Sequence, residues 1–277
     1  MTNKNLLKTY GDITGVNIFP ITALGIRYYD KNYGRILGLI PEDSRILEVG
    51  PGGASFTQYL LFKGFKNITV CEISDSSVEA LKGFFKSHVR VVHWDAVEYV
   101  KQAKARFDFI YAGQFIEHLS RDRFLEFLKI CCNVLSPGGH LVLETINCAN
   151  ITYGLYLMYC DYTHMMGFTP RSLSQFVMAV GDFSDISLLN IYPLRLKDAI
   201  QSIKYRRRIS SELSTKINTQ SPSQISTGRF FKLLKIPGKS IKIRISTLLS
   251  RVMLGNHEFD GIKIFTPFFA LVARKSL

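Results

Sequence analysis

Paired cysteines and long apolar runs are both missing from this sequence, and each absence excludes a class of protein. The 277 residues include only five cysteines, an odd number without a C-x-x-C pair. We therefore expect neither a disulfide framework nor a structural zinc site. No uninterrupted apolar run approaches the ~18 to 20 residues that cross a bilayer, and no secretory signal pattern opens the sequence. These observations predict a cytoplasmic protein.

Acidic residues are also scarce, mainly in one part of the chain. Asp and Glu total 22 against 35 Lys and Arg, which gives a net charge of +13. Fourteen of the cations but only two of the acids lie between residues 195 and 251. From residue 230 to residue 254 cations alternate with apolar side chains, which suits an anionic membrane, a phosphate-rich acceptor or a solvated helix packed on the domain. Residues 195–254 are therefore a candidate for peripheral contact with the inner face of a membrane, and no specific nucleic acid is expected.

The remainder of the sequence alternates apolar strands with helical patterns, which predicts βαβ units and a parallel sheet. A hydrophobic content of 47% is ample for one α/β domain with an elaboration. Strands are predicted near residues 45–49, 67–71, 89–92, 107–112 and 139–145, and helices near residues 54–64, 75–85 and 121–135. Ligands of such a sheet bind at the carboxyl ends of its strands.

A glycine loop follows the first predicted strand. Residues 45–57 read RILEVGPGGASFT, in which Glu48 precedes Gly50 and Gly52, and Ala54 stands where a third glycine is common. A dinucleotide site needs G-x-G-x-x-G instead. The pattern resembles the first motif of class I S-adenosylmethionine-dependent methyltransferases, in which the acid and the loop backbone face the methionine moiety and the sulfonium of the cofactor.

Two further strands end in carboxylates that extend the resemblance. Glu72 lies about twenty residues beyond the glycine loop, where a Rossmann-like site places the acid that binds the ribose hydroxyls, and Ile73 would lie against the adenine. The resemblance implies that Asp95 accepts a hydrogen bond from the adenine amino group and that the Ala96 N–H reaches a ring nitrogen. A strand-end aspartate is more often a helix cap, so both interpretations of Asp95 stand.

The resemblance implies a Rossmann-like class I methyltransferase fold, with a mostly parallel seven-stranded sheet, helices on both faces and a basic carboxyl-terminal insertion. The closing β-hairpin of such sheets would make a final strand, predicted near residues 265–274, antiparallel. Four units are predicted: a helical lid (1–40), the cofactor-binding core (41–194), the basic amphipathic insertion (195–258) and the final strand (259–277). Tyr28, Tyr29 and Tyr33 recur at helical spacing in the first unit, either as part of a lid over the cofactor cleft or as ordinary core.

Residues on the acceptor side determine the chemistry. Gln114, Glu117 and His118 follow the fourth strand, a position where these methyltransferases commonly carry a Glu-His pair, and Gln114 is also assigned to the cofactor side. Residues 161–170 read DYTHMMGFTP, a D-x-T-H and F-T-P pattern that resembles a subgroup associated with surface-polysaccharide and other glycan modification. Residue 169, a threonine before proline, predicts a helix N-cap.

Methyl transfer to a hydroxyl requires a base or a metal to take up or acidify its proton. We assign His164 as the base or acceptor-orienting group, with Glu117 and His118 polarising the site, because an unperturbed histidine pKa of ~6.5 suits proton uptake near neutrality. The alternative is a divalent-metal site of Glu117, His118 and His164. Related RNA and ubiquinone-pathway enzymes carry E-x-x-E-H at this loop, but Gln114 replaces the first Glu, so the metal-free base is favoured. Four other histidines are read as structural: His88, His93, His140 and His257.

The predicted function is that of an S-adenosylmethionine-dependent O-methyltransferase whose acceptor is a sugar hydroxyl on a surface glycan or its precursor. Two enzyme alternatives are a phenolic quinone precursor and an RNA 2′-hydroxyl. A third hypothesis is a non-catalytic methyltransferase-like protein that binds polyanions or membranes. Intact Glu48, Gly50, Gly52 and Glu72 argue against this last hypothesis, because a dead site has no chemical reason to keep them.

Overall fold

The computed structural model describes residues 7–9, 12–13, 17–104, 106–150, 154–180, 182–191, 258–259, 262–263 and 266–277. Its strands are β1 (Arg45–Val49), β2 (Asn67–Glu72), β3 (Arg90–His93), β4 (Phe107–Gly113), β5 (Leu135–Ile146), β6 (Phe183–Ile191), β7 (Glu258–Phe259), β8 (Ile262–Lys263) and β9 (Phe268–Lys275). Its helices are α1 (Ala23–Leu37), α2 (Ser55–Phe62), α3 (Asp75–Phe85), α4 (Ala96–Gln102), α5 (Arg121–Val134), α6 (Gly154–Tyr159) and α7 (Pro170–Val180), with a 3₁₀ turn at Ile116–His118.

Seven strands form one sheet in the order β3-β2-β1-β4-β5-β9-β6. The first five in this order run parallel, whereas β9 lies antiparallel between β5 and β6. This arrangement confirms the predicted Rossmann-like fold and the antiparallel final strand. The central strands are buried on both faces, which explains why they read as continuous apolar runs in the sequence.

Helices cover both faces of the sheet and divide the core into two layers. The first layer packs α4, α5 and α7 against one face, to which Leu47 and Val49 of β1 contribute. The second packs α1, α2 and α3 against the other face, to which Ile46 contributes. This alternation follows from the two-residue period of a strand. Tyr33 is fully buried in the second layer, so this part of the tyrosine stripe is core.

Several element boundaries differ from the predictions for physical reasons. Strand β5 begins at Leu135, four residues early, because Leu135 already pairs with Phe107 across an irregular register. The sequence-based assignment missed the helices α4 and α6, the edge strand β6 and the short strands β7 and β8. Strand β6 lies at the sheet edge and is largely half-exposed, so it lacks the apolar run that identified the central strands.

The basic insertion predicted at residues 195–258 lies outside the described residues except for its last position. The described part of the final unit consists of Phe259, which pairs through β7 with β8, the strand β8 itself, and residues 266–277, which include β9. No helix among the described residues combines the length and the apolar composition needed to cross a membrane.

Candidate functional site

The carboxyl ends of the five parallel strands meet at one edge of the sheet, and the predicted site residues lie there. The loop after β1 turns on three left-handed residues, Gly50 (φ +63°), Gly52 (φ +52°) and Ala54 (φ +54°). A Cβ on Gly50 would lie 3.0 Å from the ring of Phe115, whereas one on Gly52 would meet nothing within 4 Å. The chain therefore leaves open space above Gly52, as a loop must if a ligand is to approach its backbone.

Glu48 lies near the end of β1 and is almost completely buried. Its carboxylate accepts a hydrogen bond from the Thr57 hydroxyl on α2. Burial raises the pKa of Glu48 to about 8, although the bonds from Thr57 oppose the shift. A buried carboxylate of this kind suits a cationic ligand, because a nearby positive charge favours its ionised form.

Glu72 ends β2 and folds back on the following turn. Its Oε1 accepts hydrogen bonds from the backbone N–H groups of Ile73 and Ser74, at 2.7 and 2.9 Å. Burial raises the pKa of Glu72, and these two bonds oppose the shift. The ribose-binding role of Glu72 and the adenine contact of Ile73 stay predictions. His93, read as structural, contacts the Ile73 carbonyl and Asp75.

Asp95 is the N-cap of α4, as the more conservative interpretation predicted. Its Oδ1 accepts from the backbone N–H groups of Val97 and Glu98, at 3.0 and 3.1 Å. The same oxygen lies 2.8 Å from the guanidinium of Arg123 on α5. Ala96 is the first residue of the helix and is buried. Capping uses one carboxylate oxygen, so the adenine-binding role predicted for Asp95 would use the other.

A carboxylate that the sequence analysis missed lies beside this loop. Glu144, near the end of β5, is buried and accepts hydrogen bonds from the hydroxyls of Tyr33 and Tyr111, the latter at 2.9 Å. Gln114 donates its side-chain amide to Glu144 Oε1 at 3.4 Å and its backbone N–H to the Glu144 carbonyl at 2.9 Å. Burial raises the pKa of Glu144. The strand-end rule that identified Glu48 and Glu72 would also have found it.

On the acceptor side, Glu117 lies in the 3₁₀ turn after β4 and is buried. Its Oε2 accepts a hydrogen bond from Thr145 at 3.0 Å, whereas its Oε1 is buried with no hydrogen-bond partner among the described residues. Burial raises the pKa of Glu117 to about 8, and the bond from Thr145 opposes the shift. A buried oxygen left without a donor is costly, and a bound cation would satisfy it.

His118 and His164 lie beside Glu117, with their ring centroids 4.7 Å apart. His118 Nδ1 lies 2.8 Å from the Thr163 hydroxyl, which in turn donates to Asp161. His164 Nδ1 lies 2.9 Å from the carbonyl oxygen of Met158. That carbonyl can only accept, so Nδ1 of His164 carries a proton, and in the neutral ring Nε2 bears the lone pair.

Burial, together with the nearby His164, lowers the pKa of His118 to about 4, so His118 is neutral near pH 7. The ligand atoms of Glu117, His118 and His164 all lie within 4.8 Å of one another. One carboxylate oxygen and two imidazoles form a donor set that several divalent transition metals accept. Gln114 stands where the E-x-x-E-H enzymes carry their first glutamate. Its uncharged side chain is turned toward Glu144, so it adds no anionic ligand to this cluster.

The structure also identifies positioning residues that the sequence analysis did not assign. Thr145, Thr163 and Asp161 orient the cluster through the contacts described above, and the backbone N–H of Met165 donates to the Glu117 carbonyl at 2.8 Å. Thr169 caps α7 by accepting from the Ser172 N–H at 3.2 Å, as predicted. The D-x-T-H pattern was visible in the sequence, but only the fold shows that its threonine contacts His118.

Comparison with known proteins places this geometry in a family. The family model described as "Methyltransferase domain" matches residues 23–181, more than half of the chain and all of the site residues described here. A solved structure of a SAM-dependent methyltransferase from Archaeoglobus fulgidus superposes with a TM-score of 0.55 at 20% identity, covering 90% of this chain and 98% of that chain. At this identity the likeness shows the fold.

Two curated relatives match the central part of the chain. The mitochondrial ubiquinone biosynthesis O-methyltransferase of Homo sapiens is 29% identical over 123 residues, which cover 42% of this chain and 32% of the relative. The ubiquinone biosynthesis O-methyltransferase of Maricaulis maris (strain MCS10) is 27% identical over 139 residues, which cover 49% of this chain and 52% of the relative. The chain therefore spans between about a third and a half of the length of these relatives.

Proposed function

The chain belongs to the methyltransferase domain family and is an S-adenosylmethionine-dependent enzyme, and we propose that its acceptor is a phenolic hydroxyl of a quinone precursor. The observation that carries this proposal is the cluster of Glu117, His118 and His164 at the carboxyl edge of the sheet. The two relatives named for ubiquinone biosynthesis support a phenol over the sugar hydroxyl expected from the sequence.

The surroundings of the cluster also favour an aromatic acceptor. The neighbouring polar side chains Thr145, Thr163 and Asp161 are already bonded within the protein, whereas a sugar would need several such groups to bind its hydroxyls. Met158 and Met166 bring apolar side chains to the same stretch, because the Met158 carbonyl contacts His164 and the Met166 N–H donates to the Glu117 carbonyl. A phenol is also more acidic than a sugar hydroxyl, with a pKa of ~10, so less help is needed to remove its proton.

His164 is the proposed base. With its Nδ1 proton held by the Met158 carbonyl, its Nε2 accepts the acceptor proton as the methyl group transfers in line from sulfur to oxygen. His118 has a pKa of about 4 and is a weak base, so its proposed role is to orient the acceptor. Thr163, which is itself bonded to Asp161, holds the His118 ring in place. The ionised form of Glu117 would stabilise the imidazolium that forms on His164.

A divalent cation fits the same residues, because Glu117 Oε1 is buried without a donor and His164 Nε2 bears a lone pair. Glu117, His118 and His164 would hold it, and it would supply a Lewis acid that lowers the pKa of the acceptor hydroxyl. A cation held by these three ligands would keep further coordination positions for water or for the acceptor oxygen. The metal-free base and the metal-assisted site therefore make different predictions for chelation.

The acceptor is tested by S-adenosylhomocysteine formation with three probes: a catechol carrying a short isoprenoid tail, a nucleotide-linked sugar and a short RNA duplex. We expect turnover with the catechol because its hydroxyl is acidic and its ring matches the apolar surroundings. Methylation of the sugar in preference to the catechol would contradict the proposal and support the glycan interpretation, for which the 161–170 pattern is the only specific observation.

The catalytic assignment is tested with His164→Ala and His118→Ala. Cofactor affinity should stay near wild type, while the methyl-transfer rate falls by ~100-fold or more if the altered residue is a general base. His88→Ala is the matched control, because His88 is exposed on the loop before β3. Activity that survives EDTA unchanged removes the metal-assisted site, and activity lost to EDTA and restored by a divalent ion supports it. Wild-type turnover in both alanine variants would refute the assignment.

A further inference from the structure

A network of ion pairs joins helices α4 and α5, both of which begin at the carboxyl edge of the sheet. Its centre is Arg123, in the first turn of α5. The guanidinium of this residue lies 2.8 Å from Asp95, 2.7 Å from Glu98 and 2.9 Å from Glu126. Lys101 of α4 also contacts Glu126, at 3.0 Å. The network therefore ties the helix that follows β3 to the helix that follows β4.

Asp95 uses only one of its two carboxylate oxygens in this network. Its Oδ1 accepts hydrogen bonds from two backbone N–H groups of α4 and from the Arg123 guanidinium. Its Oδ2 makes no hydrogen bond within the part of the chain that the structure describes. Three donors on one oxygen fix the orientation of the carboxylate, so Oδ2 is held in one place with its lone pairs available.

Arg123 is suited to hold this carboxylate because the guanidinium is itself held by both helices. One terminal nitrogen, Nη2, donates to Asp95, and the other, Nη1, donates to Glu98 of α4 and Glu126 of α5. A guanidinium is planar and always protonated, and its bonds to carboxylates are stronger than bonds between neutral groups. A helix cap alone would not need this arginine, because an uncharged serine or threonine caps a helix as well.

We propose that Arg123 is a positioning residue for the adenine of the cofactor and acts through Asp95. The adenine amino group is a hydrogen-bond donor, and the fixed Oδ2 of Asp95 is an acceptor at the edge where the cofactor binds. The Trp94 N–H donates to the Glu72 carbonyl at 3.0 Å, which places Asp95 next to the carboxylate predicted to bind the ribose. The proposal rests on the adenine contact predicted for Asp95 and holds whichever hydroxyl accepts the methyl group.

The test compares S-adenosylhomocysteine with an analogue in which hydrogen replaces the adenine amino group. Calorimetric titration of the wild-type chain should show tighter binding of S-adenosylhomocysteine. Arg123→Gln should weaken that binding about tenfold and leave the analogue within about twofold of wild type, which also shows that the variant is folded. Arg123→Lys keeps the charge and should restore part of the loss. The matched control is Arg121→Gln, because Arg121 is exposed in the same helical turn and lies over the Phe176 ring; both ligands should bind it as they bind wild type.

A second measurement uses Asp95→Ser, which still caps α4 but has no second carboxylate oxygen. In that background Arg123→Gln should change S-adenosylhomocysteine affinity by less than about twofold, because the two residues act through one contact. If wild type binds the two ligands equally, the adenine contact of Asp95 is wrong and the proposal fails with it. If wild type distinguishes them but Arg123→Gln weakens both equally or neither, the adenine contact stands and Arg123 has only a structural role, which overturns the proposal.

Discussion

At the scale of single residues, buried carboxylates dominate the electrostatics of the site. Glu48 and Glu117 both have pKa values raised to about 8 by burial. Each is held by one threonine, and each faces the region where the cofactor or the acceptor is predicted to bind. A cation bound at either position would restore the ionised carboxylate, so both sites favour positively charged ligands over neutral ones.

These shifts predict how stability depends on pH. The folded protein keeps a proton on Glu48 and on Glu117 that the unfolded chain releases above 4.5, so unfolding becomes easier as pH rises from about 4.5 to about 8. Glu48→Gln and Glu117→Gln should each flatten this fall. Urea denaturation at several pH values across the window measures it, and the exposed Glu42→Gln serves as control. Parallel slopes in all variants would show that these carboxyls do not cause the dependence.

The glycine loop gives a second prediction at this scale. Gly50→Ala should lower the free energy of unfolding by about 1 kcal/mol or more and weaken S-adenosylmethionine binding, because its φ is +63° and its Cβ would press on Phe115. Gly53→Ala is the matched control, since a Cβ there meets nothing within 4 Å. Thermal shift with and without S-adenosylmethionine measures both effects. Equal behaviour of the two variants would contradict the steric argument.

At the scale of elements, α1 is tied to the sheet through a buried polar contact. The Tyr33 hydroxyl donates to Glu144, and the Tyr33 ring packs on Phe56 of α2 and Tyr111 of β4. These contacts join α1 to β4, which carries Tyr111, and to β5, which carries Glu144. Their position links the packing of α1 to the shape of the cofactor loop.

Tyr33→Phe should lower the free energy of unfolding by about 1–3 kcal/mol, because a buried carboxylate loses one of its donors. Tyr59→Phe is the control, since the Tyr59 hydroxyl bonds with Asp30, whose side chain is largely exposed and can turn to water. Chemical denaturation of both variants gives the comparison. If Tyr59→Phe costs as much as Tyr33→Phe, burial of Glu144 is not the cause.

At the scale of the whole molecule, charge is distributed very unevenly along the chain. Replacing Arg206, Arg207 and Arg208 by Ala should weaken binding to anionic vesicles by about a hundredfold, at ~1 kcal/mol per cation near a membrane surface. The loss should be largest at low salt, because exposed charges are screened over ~8 Å at physiological ionic strength. Cosedimentation measures it, and cofactor affinity should not change.

The matched control removes the same charge elsewhere, by replacing the exposed Lys82, Lys86 and Lys129 with Ala. If both triple variants lose vesicle binding equally, the net charge matters and the position of the arginines does not. If neither triple variant loses vesicle binding, residues 195–254 have no part in membrane contact.

Local patterns in the sequence determined the sheet and much of its ligand-facing edge. A buried strand must be apolar and a left-handed turn favours glycine, so β1, its loop and the strand-end acids Glu48, Glu72 and Asp95 could be recognised from neighbours in the chain. Edge strand β6 could not be recognised in this way, because only one of its residues is buried and its apolar pattern is therefore weak.

Only the tertiary structure decided which distant side chains meet. The bond between Tyr33 and Glu144 joins residues 111 positions apart, and Thr163 contacts His118 across 45 positions. Such pairings depend on strand order and on how loops return over the sheet edge, which no local periodicity encodes. The burial that shifts the pKa values of Glu117 and His118 has the same origin, because it is the folded surroundings that exclude water from them.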